Sequence, residues 1–148
     1  MDHEFHIPDR IKEGYGPNFK SLLNLKNNGS DLILTLDCGT TAYASINKIN
    51  EEGVNIIVVD HHMEANNLPK AFSIVNPKKK NDTSDLNNLC ATGVVFLLIV
   101  SINRELKKRK IKTKFPNLIK YLDLVALATI CDLVKLDNIN RAFVKQGI

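Results

Sequence analysis

No apolar run in this sequence is long enough to cross a membrane: the longest, Val94 to Val100, falls far short of the ~20 residues that a spanning helix needs. The amino terminus, Met1-Asp2-His3-Glu4-Phe5-His6, lacks both the basic n-region and the apolar h-region of a secretory signal, so the chain is expected to stay in the cytosol, without a membrane partner. Cysteine is sparse: Cys38, Cys90 and Cys131 are odd in number and show no C-x-x-C spacing. That argues against a disulfide framework or a structural zinc site and for ordinary buried thiols. Internal repeats are absent, and charge of neither sign dominates. The 20 Lys and Arg against 16 Asp and Glu leave a formal net charge of +4, which permits a polyanionic partner without demanding one.

What is there suits one ordinary globular domain. With 148 residues, 44% of them hydrophobic, the chain can bury a core without staples. Residues 31–36 and 54–59 are short, rich in β-branched residues and nearly continuous in apolar character, as in parallel strands covered on both faces. Between them Thr41 can cap a helix whose inner face carries Ala42, Ile46 and Ile49, with Gly53 at its left-handed end. A third strand is expected over Phe72–Val75, closed by Asn76-Pro77 and a polar, mobile loop. Glu4 to Pro8 reads as the end of a strand, followed by the turn Gly14-Tyr15-Gly16-Pro17-Asn18 and a helix containing Phe19, Leu22, Leu23 and Leu25. Ala91 to about Lys108 reads as a central packed helix, Pro116 as the first position of a helix running to Ile130, and Asn140 to Gly147 as one or two further turns. The class is α/β, a mostly parallel sheet flanked by helices.

Asp37 follows the first strand and Asp60-His61-His62 the second, so these side chains lie at the carboxyl ends of parallel strands, the edge at which open α/β sheets bind ligands. Asp37 alone would read as a turn or cap residue. An acidic residue and two histidines directly after Ile56-Ile57-Val58-Val59 are harder to explain by packing, because burying them costs free energy unless they are paired, and a metal would pair them. Asp132 ends an apolar stretch and is either a helix-end residue, a partner of a nearby lysine, or a further ligand. Carboxylate with imidazole and no thiolate suits Mn²⁺ or Mg²⁺ better than structural zinc. Paired divalent ions at Asp-rich strand ends suit hydrolysis of phosphate esters.

These segments carry a resemblance. Leu34-Thr-Leu-Asp-Cys-Gly39, Val58-Val-Asp-His-His62, Asn76-Pro77, Ala91-Thr-Gly-Val-Val-Phe96 and Leu124 to Val134 resemble, in order and spacing, the motifs of the DHH phosphoesterase family. Ile7-Pro-Asp-Arg10, Glu13-Gly-Tyr-Gly16 and Asn140-Arg141 with Val144 and Gly147 resemble its RecJ-type members, exonucleases that degrade single-stranded DNA from 5′ to 3′. The resemblance implies that Asp37, His61 and Asp132 bind metal, that Asp60 supports them, and that His62 contacts the scissile phosphate. It places Arg10 near a 5′-terminal phosphate and allows Tyr15 to stack on a base, although a turn-packing role for Tyr15 is an equal reading. Lys78–Lys80 and Lys107–Lys114 read as solvated faces.

The departures shape the expectation. RecJ-type proteins carry an Asp-x-Asp-Gly motif that supplies ligands to both ions, and this sequence contains none. The chain also ends before the further domains of those proteins. It therefore reads as a partial DHH domain over residues 1–148, truncated at both ends, with an unpaired strand edge and at most one complete ion site. Single-stranded DNA is the expected partner, possible completion by a separate chain is implied, and the fragment alone is expected to be nearly inactive. The alternative is a non-catalytic metal- or nucleic-acid-binding module retaining the fold.

Overall fold

The computed structural model describes residues 3–148, in which the chain forms two compact units, one running through Thr83 and the other Ser84–Ile148. The first unit contains helix α1 (Phe19–Asn27), strand β1 (Leu32–Leu36), helix α2 (Tyr43–Glu51), strand β2 (Asn55–Val59) and strand β3 (Ser73–Val75). All strand pairs are parallel, in the order β1-β2-β3, with Leu36 opposite Val59 and Val59 opposite Val75. Helices α1 and α2 cover one face of this sheet: Leu22, Ile46, Ile49 and Val54 pack on Ile33, Ile56 and Val58. Burying each such side chain contributes roughly 1.5–3 kcal/mol. The apolar spacing Ile46–Ile49 is what aims α2 at the sheet, and both residues are fully buried.

Strand β1 departs from the expectation of cover on both faces. It alternates, with Ile33 and Thr35 buried and Leu32, Leu34 and Leu36 exposed, because α1 and α2 lie on a single side. It is also an edge strand, pairing only with β2 among the described residues. Strand β2, in the middle, buries Val58 and Val59 on opposite faces.

The second unit is helical: α3 (Ala91–Lys108), a 3-10 turn (Leu118–Tyr121), α4 (Leu122–Cys131) and α5 (Asn138–Gly147). Helices α4 and α5 approach so closely that a Cβ on Gly147 would meet the Leu122 carbonyl and Ala126. Phe143 of α5 packs edge to face on Phe96 of α3, with centroids 5.6 Å apart. Asn140, fully buried, donates both amide hydrogens, to the carbonyls of Asn88 at 2.7 Å and Lys135 at 2.8 Å, and so ties α5 to the segments preceding α3 and α5. No helix of the described residues is long and apolar enough to cross a membrane.

Several local expectations are corrected. No strand forms over residues 4–8; the chain instead turns at residues 9–13, where Asp9 Oδ1 accepts the backbone N–H of Ile11 and Lys12. Thr41 is not the cap of α2, whose cap residue is Ala42 without a side-chain bond; the Ala42 N–H turns back to the Gly39 carbonyl. Gly53 does take the left-handed conformation, with φ +80°. Pro116 does not open α4: Asn117 caps the intervening 3-10 turn by accepting from Ile119 N–H. The last helix starts at Asn138 and runs for 10 residues, longer than expected. Helix α3 buries only its first turn, at Ala91, Gly93 and Val94, while Ile99, Val100 and Ile102 are exposed. Of the thiols only Cys90 is buried; Cys38 is half-buried and Cys131 exposed. The polar segment after β3 contains turns, with Asn76 Oδ1 accepting Lys78 N–H at 2.8 Å and Lys79 Nζ donating to Ile74 O at 2.9 Å. Lys79 is accordingly not merely solvated, and Lys80 lies 3.5 Å from Glu64.

Candidate metal centre

The carboxyl ends of β1 and β2 bring three ligand-bearing side chains together. One donor atom each from Asp37, His61 and His62 lies within 4.8 Å of the others, the one such group of His, Cys, Asp and Glu among the described residues. Asp37 extends the parallel ladder by one bond, its N–H reaching Val59 O at 3.0 Å, and then takes φ +61°. That left-handed conformation is uncommon outside glycine, and Asp37 takes it at the turn that leaves the strand. It leaves the carboxylate largely exposed while one oxygen sits 3.2 Å from His61 Nε2. Gly39 makes the tight return possible: at φ +115° a Cβ there would meet the Thr35 hydroxyl at 2.6 Å and both Val58 methyls.

Asp60 organises the opposite side and is buried at 1% exposure. Its Oδ1 accepts the backbone N–H of His61 at 2.8 Å and of His62 at 3.2 Å, together with His62 Nδ1 at 2.7 Å, and its Oδ2 accepts Thr40 N–H at 2.9 Å. Burial pushes this carboxyl upward, but the donors from His62, Thr40 and His61 outweigh it and hold the pKa at about 2. Asp60 is thus paired by protein donors. The bond to Nδ1 makes that nitrogen the donor to the Asp60 carboxylate and so fixes the orientation of the His62 ring. Asn76 braces the assembly from β3, donating to the Thr40 hydroxyl and to His62 O, both at 2.9 Å.

Thr40 and Asn76 are the functional-site residues that sequence reasoning missed as individuals, although Asn76-Pro77 and the residues flanking Gly39 stand within the motifs quoted above. Neither has a chemistry that announces itself; each matters through a partner distant in the chain. The Cys38 thiol, with its burial and then Asp60 and Asp37 pushing its pKa up to about 11, stays protonated and donates to Leu36 O. The donor set is therefore carboxylate and imidazole.

Tyr15 and Arg10 reach this site from the amino-terminal segment. The Tyr15 hydroxyl donates to Asp37 O at 2.6 Å and lies 3.2 and 3.3 Å from the two His62 ring nitrogens. Burial, then Asp60 and Asp37, drive its pKa upward. The exposed Arg10 guanidinium stands 5.1 Å from the Tyr15 ring centre. Asp132 belongs to the second unit, where it ends α4 with its N–H bonded to Ala128 O.

A β1 end and a β2 end joined by Asp60 and crowned by Asp37 and two histidines are the geometry of the Asp-His-His motif. The family model described as DHH family, N-terminal domain, matches residues 1–129. This chain belongs to the DHH family. This DHH-family chain is 37% identical over 145 residues to the single-stranded-DNA-specific exonuclease RecJ of Bacillus subtilis, covering 98% of itself and 17% of that protein. Its identity to the RecJ of Thermus thermophilus is 36% over 146 residues, covering 99% of itself and 20% of the relative. Among solved structures, an exonuclease RecJ bound to manganese matches 96% of this chain and 34% of its own, with a TM-score of 0.79 and 35% identity. A RecJ from Thermus thermophilus in complex with Mn²⁺ matches 87% of this chain and 18% of its own, with a TM-score of 0.71 and 33% identity. The DHH-family chain thus spans about a fifth of the length of the curated relatives it matches. The α/β class with a parallel sheet is that of these structures.

Proposed function

We propose that this chain carries part of the active site of a metal-dependent exonuclease acting on single-stranded DNA. The observation that carries the proposal is the cluster of Asp37, His61 and His62 at the carboxyl ends of adjacent parallel strands, with Asp60 orienting the His62 ring beneath it. Carboxylate and imidazole donors without thiolate fit Mn²⁺ or Mg²⁺, and the relatives whose structures contain manganese support the choice of Mn²⁺. A bound divalent ion supplies an activated water and charge stabilisation for phosphodiester hydrolysis.

In this reading Asp37 and His61 are ligands. His62, its side chain 44% exposed and its ring oriented by Asp60, contacts the scissile phosphate. Arg10 offers a planar, bidentate donor to a terminal phosphate. Asp132 is a further ligand by resemblance.

The test is calorimetric titration of Mn²⁺ into the 148-residue chain and into Asp37→Asn, His61→Ala and Asp132→Asn variants. The expected result is binding near one equivalent that each substitution abolishes or weakens strongly; absence of binding in the unsubstituted chain would overturn the metal reading. The sequence contains no Asp-x-Asp-Gly motif, so Mn²⁺-dependent nucleotide release by this polypeptide alone is proposed to stay near background, and robust release would refute that part. Binding of oligonucleotides that is metal-independent and indifferent to His61→Ala would favour a non-catalytic module instead.

A further inference from the structure

Tyr15 sits on a rigid mount. It is flanked by Gly14 and Gly16, both left-handed with φ +81° and +82°, which turn the chain sharply on either side of it. Just before them the Glu13 carboxylate accepts from Asp9 N–H, Asn18 Nδ2, Ser21 Oγ and the His6 ring, all between 2.9 and 3.0 Å, and so ties the segment to the start of α1. From this mount the Tyr15 ring meets His62 edge on, with centroids 5.7 Å apart and planes at 70°. Arg10 stands over its face. The single hydroxyl hydrogen goes to Asp37 O, the shortest contact it makes.

Asp37 needs such a hold. A non-glycine residue in the left-handed region is strained and persists only where surrounding bonds fix it. Its N–H is fixed by Val59 O and its carbonyl by Tyr15, one bond on each side of the strained φ. The same hydroxyl packs on the ring whose Nδ1 is held by Asp60.

We propose, on the reading of Asp37 and His62 as metal-site groups, that Tyr15 is a positioning residue of this centre: its hydroxyl locks the Asp37 backbone and abuts the His62 ring, so that carboxylate and imidazole face one another in advance of the ion. This differs from a role in stacking on a DNA base, which needs the ring and not the hydroxyl.

Tyr15→Phe separates the two roles because it keeps the ring and removes only the hydroxyl, while Tyr15→Leu removes both. Loss of an outer partner of a metal ligand typically weakens metal binding by roughly 10–100-fold. Tyr15→Phe is therefore expected to weaken Mn²⁺ binding about tenfold, close to the loss in Tyr15→Leu, with the urea midpoint of the whole chain nearly unchanged. Equal Mn²⁺ affinity of Tyr15→Phe and the unsubstituted chain would overturn the proposal and leave the metal reading standing. A metal-free readout decides the matter separately: exchange of the Asp37 amide hydrogen should accelerate several-fold in Tyr15→Phe, as expected for a local opening. If the unsubstituted chain binds no Mn²⁺, the metal reading fails, and the exchange rate alone judges whether the hydroxyl holds Asp37; an unchanged rate overturns that too.

Discussion

Replacing Asp60 with asparagine isolates what the buried carboxylate contributes in the absence of any ion. In the native chain Oδ1 accepts three hydrogen bonds, from His61 N–H, His62 N–H and His62 Nδ1, and Oδ2 accepts Thr40 N–H. Asparagine has nearly the same shape and one oxygen. With that oxygen in the Oδ1 position, its amide group faces Thr40 N–H, donor against donor, and an orphaned buried donor costs roughly 1–3 kcal/mol. The three remaining bonds lose their charge assistance, roughly 1 kcal/mol each, since bonds to charged groups contribute about twice those between neutral ones. The expected loss is about 4–6 kcal/mol, a large part of the 5–15 kcal/mol typical of a folded domain. Urea unfolding at pH 7 in the presence of a chelator measures it as a fall in midpoint at constant slope. A loss below about 1 kcal/mol under those conditions would refute the reasoning. It would show that the pairing of Asp60 contributes little to stability.

Gly39→Ala places a Cβ against the Thr35 hydroxyl and the Val58 methyls at φ +115°; a destabilisation of about 2–3 kcal/mol is expected in thermal unfolding, and a neutral effect would show that the turn relaxes. Asn140→Ala leaves the carbonyls of Asn88 and Lys135 without their donor in a buried setting, so a loss of about 2 kcal/mol is expected in urea unfolding. Glu13 has its pKa lowered from 4.5 to about 2 by the Asp9 N–H, Asn18 and Ser21 bonds. Its stabilising contribution is therefore present above its ordinary pKa and lost as pH falls towards 2, so the difference in melting temperature between the native chain and Glu13→Gln should shrink over that range. A difference that stays constant with pH would count against it. Arg10→Ala is expected to weaken binding of a 5′-phosphorylated oligonucleotide more than of its 5′-hydroxyl counterpart, as measured by fluorescence anisotropy; equal losses would remove the terminal-phosphate role.

Much of the site is written along the chain. The β-branched runs 31–36 and 54–59, the interval between them and the acidic and histidine residues that follow already imply parallel strands with ligands at their carboxyl ends, because side-chain alternation and strand length are local properties. Asp37, Asp60, His61 and His62 are legible for the same reason. The sequence did not reveal how these residues divide the work, since that depends on bonds across 20 or more residues: Thr40 N–H on Asp60, Asn76 on Thr40, and Tyr15 on Asp37. Helix starts were misplaced where a short-range competitor intervened, as at Asn117, whose side chain captures a nearby N–H. Sequence patterning by itself determined that this chain forms strands and helices with an acidic and histidine cluster at one edge. Tertiary structure alone decided which groups satisfy Asp60, because only folding brings Thr40 and His62 to the two sides of one buried carboxylate.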